Sequence, residues 1–222
     1  MKTFLIAISG KMRHGKDTIG DYLIARYGFK HIGFADKLKQ ICQTYEETDR
    51  DACNKQIAAE LFPEQDKTVV NDIDVLMRAA QPDGWQKLTE DECYDNKTDL
   101  SRRVLQHIGD GMRFVRGQAD VWARFSLATC QSGRHVITDV RYKNEAFAID
   151  ALPHSQIWRV NRKIEADPRF AKHISEVDLD DYPFEVVIEN NDTIPHLYNK
   201  IDKIMKPLEQ GRRPFLTGEE VY

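Results

Sequence analysis

Short apolar runs alternate with longer amphipathic stretches along most of this chain. The run from Phe4 to Ile8 is continuously apolar, which is typical of a strand buried on both faces of a sheet. Residues 17–27 repeat apolar positions at helical spacing, and Gly28 fits the end of that helix. The same criteria predict strands at 29–34, 135–138, 156–160 and 186–188, and helices beginning at 36 and spanning 100–108, 120–130, 144–152 and 194–205. This alternation favours an α/β fold, a three-layer sandwich in which helices cover both faces of a parallel sheet.

Residues 46–98 interrupt this alternation. They are rich in Asp, Glu, Lys, Asn and Gln, contain proline and glycine breaks, and show only short helical patterns at 54–62 and 69–80. We interpret them as an inserted, mainly helical segment. The core is then built from residues 1–45 and 99–206, and residues 207–222 form a peripheral C-terminal tail.

The composition narrows the classes of protein to which the chain can belong. Its 222 residues can form one domain with an inserted subdomain, and its 41% hydrophobic and 31% charged residues argue against wholesale disorder. A formal net charge of -4 argues against a globally basic nucleic-acid-binding protein, so we expect no direct binding of nucleic acid.

Two further features indicate the compartment. No stretch approaches the roughly 20 consecutive apolar residues that cross a bilayer, and the four cysteines, at positions 42, 53, 93 and 130, show no CxxC spacing. Such scattered cysteines are typical of reduced thiols rather than of a zinc site or a redox pair. We therefore expect a soluble cytoplasmic protein that does not bind membranes.

The strongest chemical signal follows the first predicted strand. Residues 10–18 read Gly, four residues, Gly-Lys-Asp-Thr, and the two glycines allow backbone N–H groups to converge on phosphate oxygens. Lys16 can reach the terminal phosphates, and the helix that begins there adds the positive end of its dipole. The pattern alone would also fit an ordinary glycine-rich turn, but its place between an apolar strand and an amphipathic helix favours a phosphate-binding loop.

Asp17 stands where most phosphate-binding loops place the Ser or Thr that binds magnesium. A carboxylate can also serve a hard cation, directly or through water, and Thr18 would then offer its hydroxyl to a phosphate. The alternative is that Asp17 is only an acidic residue favoured by the helix dipole. Both roles of Asp17 stay open at this point, a Mg²⁺ ligand and an acidic residue at the start of the helix.

Candidate acceptor-side residues follow another predicted strand. In parallel sheets ligands bind beyond the carboxyl ends of the strands, and Asp139 and Arg141 lie at such an end. Asp139 could hold a magnesium-bound water or an acceptor hydroxyl, and Arg141 could neutralise phosphate. Glu145 comes four residues after Arg141, and its alternative role is a salt bridge at the start of a helix.

Other candidates are spread more widely along the chain. Arg103, beside Arg102, could clamp a phosphate, although both could also belong to a solvated helix face. Lys37 follows the second predicted strand, and Trp122 could stack on a base, although such a tryptophan more often lies in a core. Residues 161–176 are basic and irregular, which suits a lid over a triphosphate or an ordinary charged loop. Four basic residues follow the fourth predicted strand: Arg162, Lys163, Arg169 and Lys172.

Taken together, these residues resemble the phage-type deoxynucleoside monophosphate kinases. Their order along the chain carries the resemblance, which covers roughly 9–45 and 100–205, whereas 46–98 matches poorly. Asp17 departs from phosphate-binding loops in general but fits this family, and Asp110 departs from it, because the family often has Thr there. The similar segments are Ser9-Gly10 through Arg13, Gly15, Lys16, Asp17 and Thr18; Arg102-Arg103 through Gln106 and Gly109; Asp120-Val121-Trp122; Thr138-Asp139-Val140-Arg141 with Glu145; His173-Ile174-Ser175-Glu176; and Val187 through Asn191.

The resemblance implies a P-loop kinase fold, ATP, Mg²⁺, a deoxynucleoside monophosphate acceptor and a homodimer. It also implies that 46–98 lies on the acceptor side and that the product serves DNA precursor synthesis. The implied catalytic residues are Lys16, Arg141 and Asp139. The implied ATP-binding residues are Gly10, Arg13, Gly15, Lys16, Asp17, Thr18 and Arg162. The implied acceptor-binding residues are Lys37, Arg103, Gly109, Asp110, Trp122, Asp139, Arg141 and Glu145.

Two other functions are consistent with a phosphate-binding loop. One is a P-loop kinase with a different phosphorylated acceptor, such as dephospho-coenzyme A or phosphomevalonate. The other is a nucleotide-dependent switch, which the sequence disfavours because neither an Asp-x-x-Gly nor an Asn-Lys-x-Asp motif follows the loop at recognisable spacing.

Overall fold

The computed structural model describes residues 3–62, 67–94, 96–130, 132–165 and 174–211. The chain divides into two compact units, a sheet unit (1–33 and 130–222) and a helical unit (34–129). The strands are β1 Thr3–Ser9, β2 Lys30–His31, β3 Gly133–Val140, β4 Ser155–Asn161 and β5 Val186–Glu189. The helices are α1 Lys16–Tyr27, α2 Asp36–Thr44, α3 Arg50–Leu61, α4 Lys67–Ala80, α5 Glu90–Tyr94, α6 Asp99–Phe114, α7 Val121–Thr129, α8 Lys143–Asp150, α9 Ile174–Val177 and α10 Ile194–Glu209.

The sheet unit contains one five-stranded sheet in the order β2-β3-β1-β4-β5, and every pair of neighbouring strands is parallel. The connection from β1 to β2 runs one way along the sheet, and the connection from β3 to β4 runs the other way. Right-handed crossovers therefore place α1 and α8 on opposite faces. The predicted α/β fold with a parallel sheet between helical layers is confirmed.

The core of the sheet unit explains why β1 is apolar throughout. Ile6 and Ile8 point to one face, where they pack with apolar residues of α1 and α10, and Leu5 and Ala7 are equally buried on the other. A strand in the middle of a parallel sheet meets helices on both sides, so neither face tolerates polar side chains.

The order of the strands also fixes where a ligand can bind. The connection that leaves β1 and the connection that leaves its neighbour β3 run in opposite directions along the sheet, which makes the carboxyl end of β1 a topological switch point. The residues that follow β1 begin at Gly10, so the glycine-rich loop lies at that point.

The helical unit is built from α2 to α7. The helices predicted at 54–62 and 69–80 are present as α3 and α4, each beginning a few residues earlier than predicted. The unit includes residues 46–98, whose assignment as an insertion on the acceptor side stays a prediction.

One predicted boundary in the helical unit is wrong. The sequence predicts a helix that ends at residue 108, before Gly109 and Gly111, but α6 runs unbroken from Asp99 to Phe114. A Cβ on Gly111 would lie 2.2 Å from Cδ1 of Leu76 in α4. The glycine is therefore explained by close packing of α6 against α4 and not by a turn.

Several smaller expectations can be compared with the described residues. The strand predicted at 29–34 is reduced to Lys30–His31. None of the four cysteines, all of which the structure describes, forms a disulfide. Among the described helices, none combines the length and the apolar character needed to cross a membrane. Part of the lid prediction, including Arg169 and Lys172, and most of the C-terminal tail lie outside the described residues.

Candidate active site

Glycine is required at two positions of the loop between β1 and α1. Gly10 has φ 155° and Gly15 has φ 103°, both in the region that side chains disfavour. A Cβ on Gly10 would lie 2.6 Å from the carbonyl oxygen of Val160, and one on Gly15 would lie 2.5 Å from Nδ2 of Asn190. The loop is thus pressed against the residues that end β4 and follow β5, which holds its backbone N–H groups in place.

The ammonium of Lys16 lies inside this loop. Its Nζ donates to the carbonyl oxygens of Gly10, at 2.7 Å, and Lys11, at 3.0 Å, and the residue is only 7% exposed. Burial, and after it the nearby positive charge of Arg141, lower the pKa of Lys16 to about 8. The predicted position of Lys16, at the amino end of α1 and within the loop, agrees with the structure.

Two polar side chains, Asn190 and the loop's own His14, tie the loop to segments outside it. Asn190 Nδ2 donates to the carbonyl oxygen of His14 at 2.9 Å. Nδ1 of His14 lies 3.2 Å from the backbone nitrogen of Arg162 and 3.3 Å from the carbonyl oxygen of Val160, so the tautomer of the ring decides whether it accepts from the first or donates to the second. Burial lowers the pKa of His14, which favours the neutral ring. His14 thus links the loop to the segment after β4.

A buried carboxylate joins the loop to the end of β3. Glu176, 8% exposed, accepts the backbone N–H of Met12 through Oε2 at 2.8 Å. Its Oε1 accepts a hydrogen bond from Nη1 of Arg141 at 2.7 Å. One carboxylate therefore binds both a loop N–H and the guanidinium that was predicted to neutralise phosphate.

The predicted residues after β3 lie at the same edge of the sheet as the loop. β3 is the direct neighbour of β1, and its register shifts between the pairs Ala7–Ile137 and Ser9–Val140. Such a bulge turns the backbone locally and re-aims side chains at the end of a strand. It falls next to Asp139, which is half-buried, and just before Arg141.

Glu145 has a structural position at this edge. Only 2% of it is exposed, and its Oε2 accepts the backbone N–H groups of Arg141, at 2.8 Å, and Tyr142, at 3.1 Å. These bonds cap α8 at its amino end. The geometry favours a role in fixing the Arg141 backbone over the predicted contact with an acceptor, which stays a prediction.

The remaining predicted donor-side residues are accessible. Asp17 is exposed in the first turn of α1, Thr18 beside it is half-buried, and Arg13 and Arg162 are exposed. Among the described residues, no group of three or more His, Cys, Asp or Glu side chains is gathered for a metal. Magnesium in kinases is held by one or two carboxylates together with substrate phosphates, so the single carboxylate of Asp17 fits that mode.

In the helical unit, three of the five predicted acceptor residues are exposed or half-buried. Arg103 is exposed on α6 and lines a pocket of about 690 Å³ together with Gln81 and His107. Lys37, half-buried in α2, forms an ion pair with Glu60 of α3 and does not line that pocket.

The other two of these residues lie in the interior of the helical unit. Trp122 is 3% exposed, and its indole N–H donates to the carbonyl oxygen of Gly109 at 2.8 Å. Gly109 is itself buried against Leu38 of α2. This environment favours a packing role for Trp122 over base stacking, because neither face of the ring is open to a ligand. Asp110, the next residue in α6, is half-buried.

Sequence reasoning missed the roles of His14, Asn190 and Glu176. Asn190 and Glu176 lie in segments that carry the family resemblance, but the sequence assigns no contact to either side chain. No spacing rule could have found their contacts, because Glu176 lies 164 positions from Met12 and Asn190 lies 176 positions from His14. His14 carried one available signal, its place between Gly10 and Gly15 in the loop itself.

No family model matches the chain. A relative from Acanthamoeba polyphaga mimivirus, named "Putative deoxynucleotide monophosphate kinase", is 29% identical over 201 residues, covering 89% of this chain and 93% of the relative. The family resemblance carried by the motifs is thereby confirmed.

A solved structure extends over nearly the whole chain but is more remote. Dephospho-CoA kinase from Campylobacter jejuni aligns with 95% of this chain and 99% of its own, with a TM-score of 0.44 and 13% sequence identity. That similarity is too low to assign a fold or an activity.

Proposed function

We propose that this chain, a relative of the deoxynucleoside monophosphate kinases, transfers the terminal phosphoryl group of ATP to a deoxynucleoside monophosphate. The products are ADP and a deoxynucleoside diphosphate. The observation that carries the proposal is the loop at the switch point of the sheet, with the Lys16 ammonium buried inside it. The sequence similarity to the mimivirus protein over most of both chains supplies the class of acceptor.

The donor triphosphate would lie along the loop. Backbone N–H groups between Gly10 and Thr18 and the amino end of α1 favour an anion there, and Arg13 and Arg162 are exposed beside it. Phosphoryl transfer needs little covalent work from the protein, so catalysis rests on alignment and on stabilising the charge of the transferred group. In this proposal Lys16 and Arg141 oppose that charge.

The side chains at the end of β3 would serve the acceptor. Asp139 is placed by the bulge at the same edge as the loop, and we assign it to an acceptor hydroxyl or to a water on the metal. Glu145 would act through the Arg141 backbone, whose N–H it accepts.

Asp17 would hold Mg²⁺, with Thr18 turned toward a phosphate. The ion would neutralise charge on the phosphates when it is bound. The exposed carboxylate in the first turn of α1 supports this assignment, since it leaves ligand positions for phosphate and water.

In the helical unit, Arg103 has the best-supported acceptor role. Its guanidinium lines the pocket of about 690 Å³, a volume within the usual range for small-molecule sites. A planar guanidinium can bind phosphate oxygens through two parallel hydrogen bonds. Lys37, Gly109, Asp110 and Trp122 remain proposed acceptor residues with weaker support.

A cytoplasmic location and a homodimer complete the proposal. They rest on the scattered cysteines and on the family resemblance, respectively.

The test is a coupled ADP-release assay on the purified full chain with ATP and Mg²⁺. The acceptor panel contains dAMP, dCMP, dGMP and dTMP, the matching ribonucleotides, dephospho-coenzyme A and phosphomevalonate. We expect turnover with at least one deoxynucleotide and none with the last two acceptors. ATP hydrolysis that no monophosphate stimulates would instead indicate a nucleotide-dependent switch.

A further inference from the structure

The anion-binding loop already holds an anion of the protein itself. Both oxygens of the Glu176 carboxylate are engaged, Oε2 with the Met12 N–H at 2.8 Å and Oε1 with Arg141 Nη1 at 2.7 Å. The side chain is only 6% exposed, so these bonds are largely shielded from water. Glu176 lies in the short helix α9, far from the loop in sequence.

A phosphate and the Glu176 carboxylate compete for the same groups, the Met12 N–H and the Arg141 guanidinium. A backbone N–H has one proton to donate, so the Met12 N–H cannot fully serve Glu176 and a phosphate oxygen at once. Arg141 has further N–H donors, but its positive charge is partly neutralised for as long as it is paired with Glu176. A retained carboxylate would also repel the phosphates, and the repulsion is strong where water is excluded.

The Glu176 carboxylate also offsets part of the repulsion between Lys16 and Arg141 before a nucleotide binds. Lys16 and Arg141 repel each other, and the carboxylates of Asp17 and Glu176 attract the Lys16 ammonium. The carboxylate thus stands in for the charge that a triphosphate would bring.

We propose that Glu176 is an internal placeholder for phosphate, which holds the Met12 N–H and Arg141 until a triphosphate displaces it. The inference rests on the proposed function, since it assumes that the loop binds a triphosphate. Its consequence is that wild-type affinity for a triphosphate is limited by competition from the protein's own side chain. Removing the negative charge of Glu176 should therefore tighten binding.

The experiment measures the Kd of inorganic tripolyphosphate, and separately of ATP, by calorimetry on the full chain. The variant is Glu176→Gln, which keeps the shape of the side chain and removes its charge. We expect its Kd to be about tenfold lower than that of the wild type, the magnitude of one lost charge-assisted hydrogen bond. The matched control is Asp181→Asn, which removes the same charge from an exposed pair with Lys143 outside the loop and should leave Kd within about twofold.

Glu176→Ala provides a second variant should the glutamine variant fail to fold, and the same direction is expected. Unchanged or weaker tripolyphosphate binding in the folded variant would overturn the placeholder role and leave Glu176 as a residue that only positions Arg141.

The result is separable from that of the acceptor panel. If no acceptor is phosphorylated but Glu176→Gln still binds tripolyphosphate more tightly, the kinase proposal fails and the placeholder stands. If a deoxynucleotide is phosphorylated but the variant shows no gain, the kinase proposal stands and the placeholder fails. If the wild type binds no triphosphate, the placeholder proposal still predicts measurable binding by Glu176→Gln. The absence of binding in that variant would overturn the proposal.

Discussion

The two units hold their predicted functional residues in different ways. In the sheet unit, the loop, Asp139 and Arg141 meet at one edge, around the carboxyl ends of β1 and β3. In the helical unit, Arg103 faces a pocket, Lys37 is paired with Glu60 elsewhere, and Trp122 is enclosed in the interior.

The difference follows from what each unit uses to bind. A phosphate loop works through backbone N–H groups, which a short contiguous segment supplies, so the sheet order alone brings its parts together. A pocket made of side chains needs residues from several helices, and nothing in their sequence spacing fixes which side of each helix they face. A local motif is therefore a better guide to the sheet unit than to the helical unit.

The largest effect is expected in the sheet unit. Lys16→Ala should reduce kcat/KM for phosphoryl transfer by about 1,000-fold, because it removes the buried ammonium from the charge that develops in transfer. Circular dichroism should show an unchanged fold. Lys11→Ala is the control from the same loop, since the Lys11 ammonium pairs with Asp180 instead, and it should lose far less activity. Near-normal turnover in Lys16→Ala would remove Lys16 from the mechanism.

A smaller effect tests the helical unit. Arg103→Lys should raise the KM for the deoxynucleotide by roughly 10-fold to 100-fold, since a lysine cannot make the paired hydrogen bonds of a guanidinium. The KM for ATP should stay unchanged in steady-state assays. Arg102→Lys changes the neighbouring exposed arginine, which does not line the pocket, and serves as the matched control. Equal effects of the two substitutions would argue that α6 contributes only general positive charge.

The third prediction concerns pH and returns to the sheet unit. The pKa of Lys16 is lowered to about 8, so the free protein loses this positive charge as the pH rises through that value. A triphosphate favours the charged form, and its affinity is therefore full below this pKa and falls above it. We expect the Kd of ATP to rise about tenfold between pH 7 and pH 9 at constant ionic strength.

The control for this pH dependence is Lys16→Arg, because arginine stays charged throughout the range. Calorimetry on this variant should show a flat profile over the same interval. A similar rise in Kd for the variant would assign the pH dependence to another group.

The smallest effect on activity is expected at Trp122. Trp122→Phe should lower the free energy of unfolding by about 1–2 kcal/mol, because the Gly109 carbonyl loses its indole donor in the interior. Chemical denaturation measures this loss, and the KM for the acceptor should change less than about twofold. A large rise in the KM for the acceptor with no loss of stability would instead support the base-stacking role of Trp122. The helical unit would then, like the sheet unit, hold its predicted residue in the binding site.

Much of the sheet unit was predictable for a local reason. The apolar run of β1, the glycine-rich loop and α1 are contiguous, so periodicity and turn chemistry were sufficient. The same holds for β5, a short apolar run, and for β4, in which Ile157, Trp158 and Val160 are apolar although the buried Gln156 and Arg159 are not. Asp139 and Arg141 were placed correctly because strand ends in a parallel sheet share one edge.

The errors and omissions have a different physical origin. Gly109 to Gly111 looked like a break because glycine weakens an isolated helix, but the packing of α6 against α4 stabilises the helix through that point. The sequence assigns no role to Glu176, because its contact with Met12 joins segments that are far apart along the chain. Both outcomes depend on burial and on contacts between distant segments, and neither of these can be read from the pattern of a single sequence.

The bond from Asn190 to the His14 carbonyl has a consequence for how the molecule is made. The glycine-rich loop is translated well before Asn190, which lies 176 positions after His14. A nascent chain that has not passed residue 190 therefore lacks this support for the loop. The loop reaches its fully anchored form only after β5 and the residue that follows it have been translated.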